Sequence, residues 1–163
     1  MYIQGKYIYA GDEEIEKVFE VRRKVFQEEQ GVPYELERDD KDTFAVHAAA
    51  YEMGTTEKEE TKKIVAVGRI IFDGDNYKIG RIAVLKEERG KDYGDFVVKM
   101  LIQKAFLNGG KEVYVDSQEH AVGFYKKIGF VECGEPFMEI GKKHVPMKIS
   151  TDGVCTKCSH GKL

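Results

Sequence analysis

The sequence predicts one α/β domain with a mixed, mostly antiparallel sheet, and two observations carry this prediction. The chain has 163 residues, of which 42% are hydrophobic and 34% charged, enough to bury a core without disulfide or metal staples. Strand and helix periods alternate in the order β, α, β, β, β, α, β, α, β, β. One helix links two strands across a loop at residues 89–94, which implies a parallel pair within an otherwise antiparallel sheet.

A strand at residues 2–9 and an amphipathic helix are predicted near the N terminus. Asp12 is a suitable N-cap for the helix, because its carboxylate can accept a hydrogen bond from a first-turn amide. The helix is predicted to end near Gly31 and Pro33. Its buried stripe, at spacings of three and four, comprises Ile15, Val18, Phe19, Arg22, Val25 and Phe26.

The middle of the chain is predicted to form strands. The sequence predicts irregular chain at residues 34–42, followed by a strand at 44–53. An exposed, charged connection at 54–63 leads to the next strand. Strands at 64–72 and 77–85 are predicted to form a hairpin around the turn signal at 73–76.

The C-terminal part is predicted to contain two helices and three strands. A helix carries the stripe Phe96, Val97, Met100, Leu101 and Ala105, and Gly129 is suited to closing the second helix. The remaining predictions are a strand at residues 112–116, the second helix at 117–128, and strands at 130–140 and 143–149.

Composition excludes several classes of function. The 26 basic and 29 acidic residues give a net charge of −3, which argues against unspecific binding of nucleic acid, because that mode needs a basic face. No run approaches the length of a membrane span, and the first residues lack the apolar core of a signal peptide. We therefore expect a cytoplasmic protein that binds neither nucleic acid nor membrane.

The loop from Arg89 to Gly94 joins a strand to a helix. Backbone N–H groups at such a junction, together with the helix dipole, can cradle a phosphate, and Arg89 and Lys91 would add positive charge. A glycine-bearing turn without a ligand is the alternative. The loop matches neither the P-loop nor the dinucleotide pattern, so its ligand would be another molecule with a pyrophosphate.

A second segment, residues 116–130, has the sequence DSQEHAVGFYKKIGF. It puts Tyr125 on the helix face that also carries Ala121 and Ile128. Core packing with a satisfied hydroxyl is the alternative to a functional role.

Taken together, RGKDYG and the downstream AxxFYKKxGF resemble the GNAT superfamily of N-acetyltransferases. The usual loop of that family is Gln/Arg-x-x-Gly-x-Gly/Ala. Arg89 and Gly94 match its ends, whereas Asp92 stands where the middle glycine is usual and puts a carboxylate beside the expected phosphates. Residues 18–42 with His47, and the stretch GKKHVPMKI at 141–149, resemble the ElaA-like branch.

The resemblance implies a GNAT-like single domain at residues 1–149, with helices on both faces of the sheet and a tail at 150–163. It implies transfer of an acetyl group from acetyl-CoA to a primary amine of a small molecule or peptide by direct attack, with Tyr125 as the general acid. The residues implied to bind acetyl-CoA are Ile82, Ala83, Val84, Arg89, Gly90, Lys91, Asp92, Tyr93, Gly94, Gln118 and Phe124.

The general base stays open between Glu29 and His120, with Asp116 behind them. A solvated carboxylate and a surface imidazole are the alternatives for these two residues. The acidic segment 35–42 could attract a cationic acceptor, or form a solvated loop.

The tail contains Cys155, Cys158 and His160, three possible zinc ligands where a closed structural site needs four. A flexible tail and a redox pair are the alternatives. Two rival functions remain: a CoA-binding module of the same fold without turnover, suggested by Asp92 in the loop, and a metal- or redox-sensing protein centred on the tail. Pairing through an exposed late strand would give a homodimer.

Overall fold

The computed structural model describes residues 1–74 and 76–151. The strands are β1 (Tyr2–Ile8), β2 (Val46–Thr55), β3 (Glu60–Asp73), β4 (Asn76–Val84), β5 (Glu112–Gln118), β6 (Val131–Glu132), β7 (Phe137–Glu139) and β8 (Lys142–Ser150). The helices are α1 (Ile15–Arg22), continued by a π-helical segment (Arg23–Glu29), α2 (Tyr34–Glu37), α3 (Tyr93–Leu107) and α4 (Val122–Ile128).

The eight strands form one sheet in the order β1-β2-β3-β4-β5-β8-β6, with β7 also paired to β8. Strands β4 and β5 run parallel, whereas the pairs β1–β2, β2–β3, β5–β8, β6–β8 and β7–β8 are antiparallel. The predicted α/β fold with a mixed, mostly antiparallel sheet is confirmed. No helix in the described part of the chain is long and apolar enough to cross a membrane.

Contacts divide the chain into two units. The first comprises Met1–Ile71 and Arg81–Leu101, and the second comprises Phe72–Gly80 and Ile102–Leu163. Both β4 and α3 therefore contribute residues to each unit.

The core of the first unit is built from the apolar stripe of α1 and the inner faces of its strands. Gly68 on β3 is part of this packing: a β-carbon there would lie 2.5 Å from Ile82 Cδ1, 2.9 Å from Val97 Cγ1 and 3.0 Å from Leu101 Cδ1. The absence of a side chain thus lets β4 and α3 approach β3 closely. The buried cluster includes Ile8, Ile15, Val18, Val21, Val25, Phe26, Ala49, Tyr51, Val67, Ala83 and Leu85.

Two paired strands supply the core of the second unit. The buried residues of β5 alternate with half-buried ones, as do those of β8, and the register sets them opposite each other. Val113 faces Ile149, and Val115 faces Met147. Gly129 ends α4 with φ 126°, and its N–H donates to the carbonyl oxygens of Tyr125 and Lys126 at 3.2 and 3.1 Å, which confirms the predicted helix end.

Several predicted boundaries in the first half are wrong. Asp12 does not cap the helix: α1 begins at Ile15, and the Asp12 carboxylate accepts the N–H of Tyr9 at 2.8 Å instead. Segment 34–42 is not irregular, because it contains α2 and the start of a 3₁₀ turn at Asp40–Thr43. The connection 54–63 is shorter than predicted, since β2 and β3 pair through Thr55 and Glu60.

Two boundaries in the second half also differ. The predicted helix at 117–128 begins later, because Ser117 and Gln118 continue β5 opposite Val145 and His144. A 3₁₀ turn at Glu119–Ala121 then precedes α4. The strand predicted at 130–140 is two short strands, β6 and β7, with residues 133–136 between them.

Candidate functional site

The loop between β4 and α3 has the backbone expected of a strand-to-helix anion cradle. After a 3₁₀ turn at Lys86–Glu88, Gly90 takes φ 82° and Asp92 takes φ 64°. Asp92 thus adopts the left-handed conformation that glycine enters most readily and that Asp tolerates. Its carbonyl oxygen accepts the N–H of Phe96 at 3.1 Å, so α3 begins directly behind it.

Arg89 is held by two acceptors within the first unit. Its Nη1 and Nη2 donate to Glu29 Oε2 and Oε1 at 2.6 and 2.7 Å. Its Nε and Nη2 also donate to the carbonyl oxygen of Val84 at 3.2 and 3.1 Å. The structure therefore brings together the base candidate Glu29, the loop residue Arg89 and the end of β4.

This contact changes the chemistry of Glu29. Hydrogen bonds from the Arg89 guanidinium hold the pKa of the Glu29 carboxyl below its ordinary value of 4.5. A carboxylate stabilised in its charged form is a weaker base. Its side chain is 31% exposed, so it is neither the freely solvated carboxylate of the alternative interpretation nor an unpaired base.

Lys91 and Tyr93 are also held by carboxylates. Lys91 Nζ donates to Glu88 Oε1 at 2.9 Å, while Lys63 donates to the other oxygen of Glu88 at 2.7 Å. Tyr93 Oη donates to Glu52 Oε2 at 2.6 Å. The cationic side chains of the loop are thus already paired, and its backbone N–H groups are the donors best suited to an added anion.

The backbone of the loop is open at Gly90. A β-carbon placed on Gly90 would meet no atom within 4 Å, so the backbone there is open to an approaching group. Upstream on β4, Ala83 is buried in the core while Ile82 and Val84 are half-buried. All three are among the residues that the resemblance implies to bind acetyl-CoA.

Tyr125 lies in the second unit, on α4. Only 5% of it is exposed, and its ring contacts Phe124 and Phe130 edge-on at centroid distances of 5.0 and 5.4 Å. Burial raises the pKa of its hydroxyl. Tyr125 therefore packs in an aromatic cluster, which is compatible with core packing as well as with a functional role.

The other predicted residues of the second unit lie on β5, in the 3₁₀ turn that follows it and on α4. His120 is exposed in the 3₁₀ turn that precedes the helix, and Phe124 packs on the ring of Tyr125. Gln118 ends β5. Asp116 forms an ion pair with Lys78 at 2.5 Å, so its carboxylate is already engaged.

Comparison with known proteins shows which family this chain belongs to. The family model for an acetyltransferase (GNAT) domain matches residues 27–151. The chain belongs to the GNAT acetyltransferase family. A Bacillus subtilis (strain 168) relative named uncharacterized N-acetyltransferase YjcF is 33% identical over 142 residues, which are 86% of this chain and 95% of that protein.

Solved structures of this GNAT fold agree. Escherichia coli ElaA superposes with a TM-score of 0.77 at 23% identity, covering 91% of this chain and 100% of that one. N-acetylglutamate synthase from Neisseria gonorrhoeae, solved with coenzyme A and N-acetyl-glutamate, gives a TM-score of 0.66 at 13% identity over 92% of this chain and 35% of its own. The predicted resemblance to GNAT proteins and to ElaA is confirmed.

The sequence did not predict the most buried charges of this GNAT domain. Arg22 is 1% exposed. Its Nε donates to Glu37 Oε2 at 2.7 Å, its Nη2 to the Glu37 carbonyl oxygen at 3.0 Å, and its Nη1 to Asp42 Oδ1 at 2.7 Å. Burial disfavours the charged form of Asp42, but Arg22 and then Arg69 outweigh it and lower the pKa of Asp42 from 3.8 to about 2.

Arg69 extends this network. Its Nη1 donates to Asp39 Oδ1 at 2.6 Å and to Asp42 Oδ1 at 2.8 Å. Three carboxylates of the acidic segment, those of Glu37, Asp39 and Asp42, are therefore paired with arginines and are not free to attract a cationic acceptor. Glu35 and Asp40 of the same segment are exposed. One signal was present in the sequence: Arg22 occupies a position in the apolar stripe of the first helix, where a charge needs a buried partner.

Metal binding finds no support in the part of the chain that the structure describes, where no three His, Cys, Asp or Glu side chains are grouped to hold an ion. The tail candidates Cys155, Cys158 and His160 lie outside the described residues.

Proposed function

We propose that this GNAT domain transfers the acetyl group of acetyl-CoA to an amine of a small molecule or peptide. The proposal rests mainly on the loop between β4 and α3 of this GNAT family member. Asp92 stands where the family usually has a glycine, and it keeps the positive φ that a glycine would adopt there. Bound there, acetyl-CoA would supply a thioester: the new C–N bond forms as the C–S bond breaks, and the two products are an amide and a thiol.

In this proposal the backbone of β4 polarises the carbonyl group of the thioester. A backbone N–H of Ile82, Ala83 or Val84 would donate to the thioester oxygen and stabilise the negative charge that develops on it. The first-turn amides of α3 would bind the pyrophosphate, with the helix dipole in their favour. Arg89 and Lys91, already paired, contribute positive charge around the loop without being its only donors.

Tyr125 assists the leaving group. Because burial raises the pKa of its hydroxyl, the phenol keeps its proton throughout the neutral range. A donated hydrogen bond would stabilise the thiolate, which accepts a proton as the C–S bond breaks; thiols of this kind have a pKa of about 8.5.

The acceptor must lose protons overall, since the ammonium is converted into an amide. One proton offsets the one delivered to the thiol, and one is released to water. The lowered pKa of Glu29 makes it the weaker proton acceptor, so we favour His120 or a water molecule for this step and give Glu29 the task of orienting Arg89.

Thiol release decides the proposal. The purified full chain is mixed with acetyl-CoA and a panel of amines that includes amino acids, polyamines and peptides with free amino groups. We expect thiol release that depends on an amine, with one acetylated amine formed per thiol. Binding of CoA by calorimetry without amine-dependent release across the panel would identify a CoA-binding module without turnover instead.

A further inference from the structure

Arg81 occupies an exceptional position on β4. The parallel pairing of β4 with β5 joins Tyr77 to Val113, Lys78 to Tyr114 and Ile79 to Val115. Two residues beyond the last of these pairs, Arg81 has φ 52°, a left-handed conformation that is strained for a residue other than glycine. Such strain persists only where surrounding contacts impose it.

Those contacts come from one short segment, residues 36–39. Arg81 Nε donates to the Glu37 carbonyl oxygen at 3.0 Å and lies 3.4 Å from Glu37 Oε2. Its Nη2 donates to the Leu36 carbonyl oxygen at 3.4 Å and to Asp39 Oδ2 at 3.5 Å. A single guanidinium therefore joins two carbonyl oxygens and two carboxylates of this segment to β4.

The segment that holds Arg81 is itself held firmly. Arg22 binds both the carboxylate and the carbonyl oxygen of Glu37, and Arg69 binds Asp39 through two nitrogens at 2.6 and 2.9 Å. These contacts are largely buried, so the segment is a rigid anchor and not a surface loop.

Charge attraction alone does not explain the position of Arg81. Burial, and then the nearby cations Arg69 and Arg22, lower the pKa of its guanidinium. The Arg81 guanidinium thus lies close to two other cations. Its hydrogen bonds to the 36–39 segment offset the cost of burial and of this repulsion.

We propose that Arg81 is a positioning residue, which ties β4 to the 36–39 segment and thereby fixes the backbone N–H groups of Ile82–Val84 in the orientation that receives the thioester oxygen. The inference rests on the proposed acetyl transfer. Donors of this kind act on charge that develops during the reaction, so a loss of their alignment lowers kcat more than it weakens ground-state binding.

Three substitutions at Arg81 distinguish the effect of its hydrogen bonds to residues 36–39, here called the tether, from the effect of its backbone conformation. Arg81→Gly keeps access to φ near 52° and loses the tether, whereas Arg81→Ala loses the tether and keeps the strain. Arg81→Lys retains a cation that can reach part of the same acceptors. Arg23→Gln, at an exposed arginine paired with Glu20 and Glu28, is the matched control for loss of an arginine.

We expect kcat to fall about tenfold or more in both Arg81→Gly and Arg81→Ala, with the Kd for CoA changed less than about threefold, and with partial recovery in Arg81→Lys. Arg23→Gln should have the kcat of the wild type. Wild-type kcat in Arg81→Gly would overturn the proposal, and so would a loss of CoA binding as large as the loss of kcat.

Hydrogen exchange tests the tether independently of turnover. We expect the amides of residues 82–84 to exchange about tenfold or more faster in Arg81→Gly than in the wild type. Unchanged exchange would overturn the tether. A wild-type protein that acetylates no amine in the panel would instead refute the proposed function, and the exchange result would still decide whether Arg81 fixes β4.

Discussion

Glu29 and Arg89, 60 residues apart in the chain, form a two-pronged ion pair with N–O distances of 2.6 and 2.7 Å. The same guanidinium binds the carbonyl oxygen of Val84. The end of the first helical stretch and the end of β4 are therefore joined at the residue that opens the candidate CoA loop. Glu29, a candidate base, and Arg89, a candidate cofactor-binding residue, are therefore already paired with each other in the absence of substrate.

The first prediction concerns this pair. Glu29→Gln and Arg89→Gln should each lower the free energy of unfolding by less than about 1 kcal/mol, because both side chains are partly exposed. Their effects on kcat should not add, since each residue orients the other. Measurement of the double-mutant cycle at saturating acetyl-CoA checks this. If Glu29→Gln lowers kcat equally in the presence and absence of Arg89, then Glu29 has its own task, as a general base would.

The second prediction concerns the Tyr125 hydroxyl. Tyr125→Phe retains the ring contacts with Phe124 and Phe130 and loses only the donor, so the fold should be preserved while kcat falls about a hundredfold. Steady-state kinetics and circular dichroism measure the two quantities. Tyr114→Phe, which removes a hydroxyl bonded to Glu112, is the control on the neighbouring strand. Equal kcat in Tyr125→Phe and the wild type would remove the hydroxyl from the mechanism.

The third prediction concerns the close approach at Gly68. Gly68→Ala sets a methyl group 2.5 Å from Ile82 Cδ1, and overpacking of this kind costs about 1–3 kcal/mol of stability. Urea unfolding at pH 7 measures the change. Gly80→Ala is the control on β4, because a β-carbon there meets nothing within 4 Å. Equal stabilities of the two variants would mean that β4 can move away from β3 at no cost.

The fourth prediction concerns acid stability. The pKa of Asp42 is lowered from 3.8 to about 2 in the folded protein. Ionised Asp42 therefore stabilises the fold above pH 3.8, and that contribution, about 2 kcal/mol, is lost as the pH falls toward 2. Urea unfolding between pH 5 and pH 2.5 should show a shallower loss in Asp42→Asn than in the wild type.

The control for this pH series is Asp40→Asn, because Asp40 is an exposed neighbour in the same turn. This variant should follow the wild-type curve. A wild-type slope in Asp42→Asn would show that other carboxylates carry the acid response. At pH 7 the same variant should also be destabilised, by about 3–5 kcal/mol, since two buried arginines lose an anionic partner.

The elements that the sequence predicted correctly are those with a local signal. Val97, Leu101 and Ala105 recur at helical spacing and are fully buried in α3, and Gly129 ends α4 where a left-handed residue is required. The loop and Tyr125 were found because a family pattern joins them across about thirty residues. Their roles in catalysis remain predictions for the experiments above.

The contacts that the sequence did not predict are pairings between charged residues far apart in the chain. Arg22 meets Glu37 and Asp42, and Arg69 meets Asp39, across separations of 15 to 30 residues. Charged side chains have no periodic pattern that reveals their partners. An acidic segment whose partners are unknown is therefore easily interpreted as a solvated loop. Asp12 was misassigned for a related reason: its carboxylate bonds the preceding turn instead of the helix.

The π-helical segment at Arg23–Glu29 makes chain length itself a functional variable. The N–H of Gln30 reaches back five residues, to the carbonyl oxygen of Val25 at 3.1 Å, where an α-helix would reach back four. A π-helical turn holds one residue more than an α-helical turn, so the same seven residues with ordinary α-helical bonding would turn Glu29 by about 100° around the helix axis. A deletion of one residue with a return to α-helical bonding would thus keep Glu29 beside Arg89, whereas α-helical bonding without the deletion would separate the two side chains.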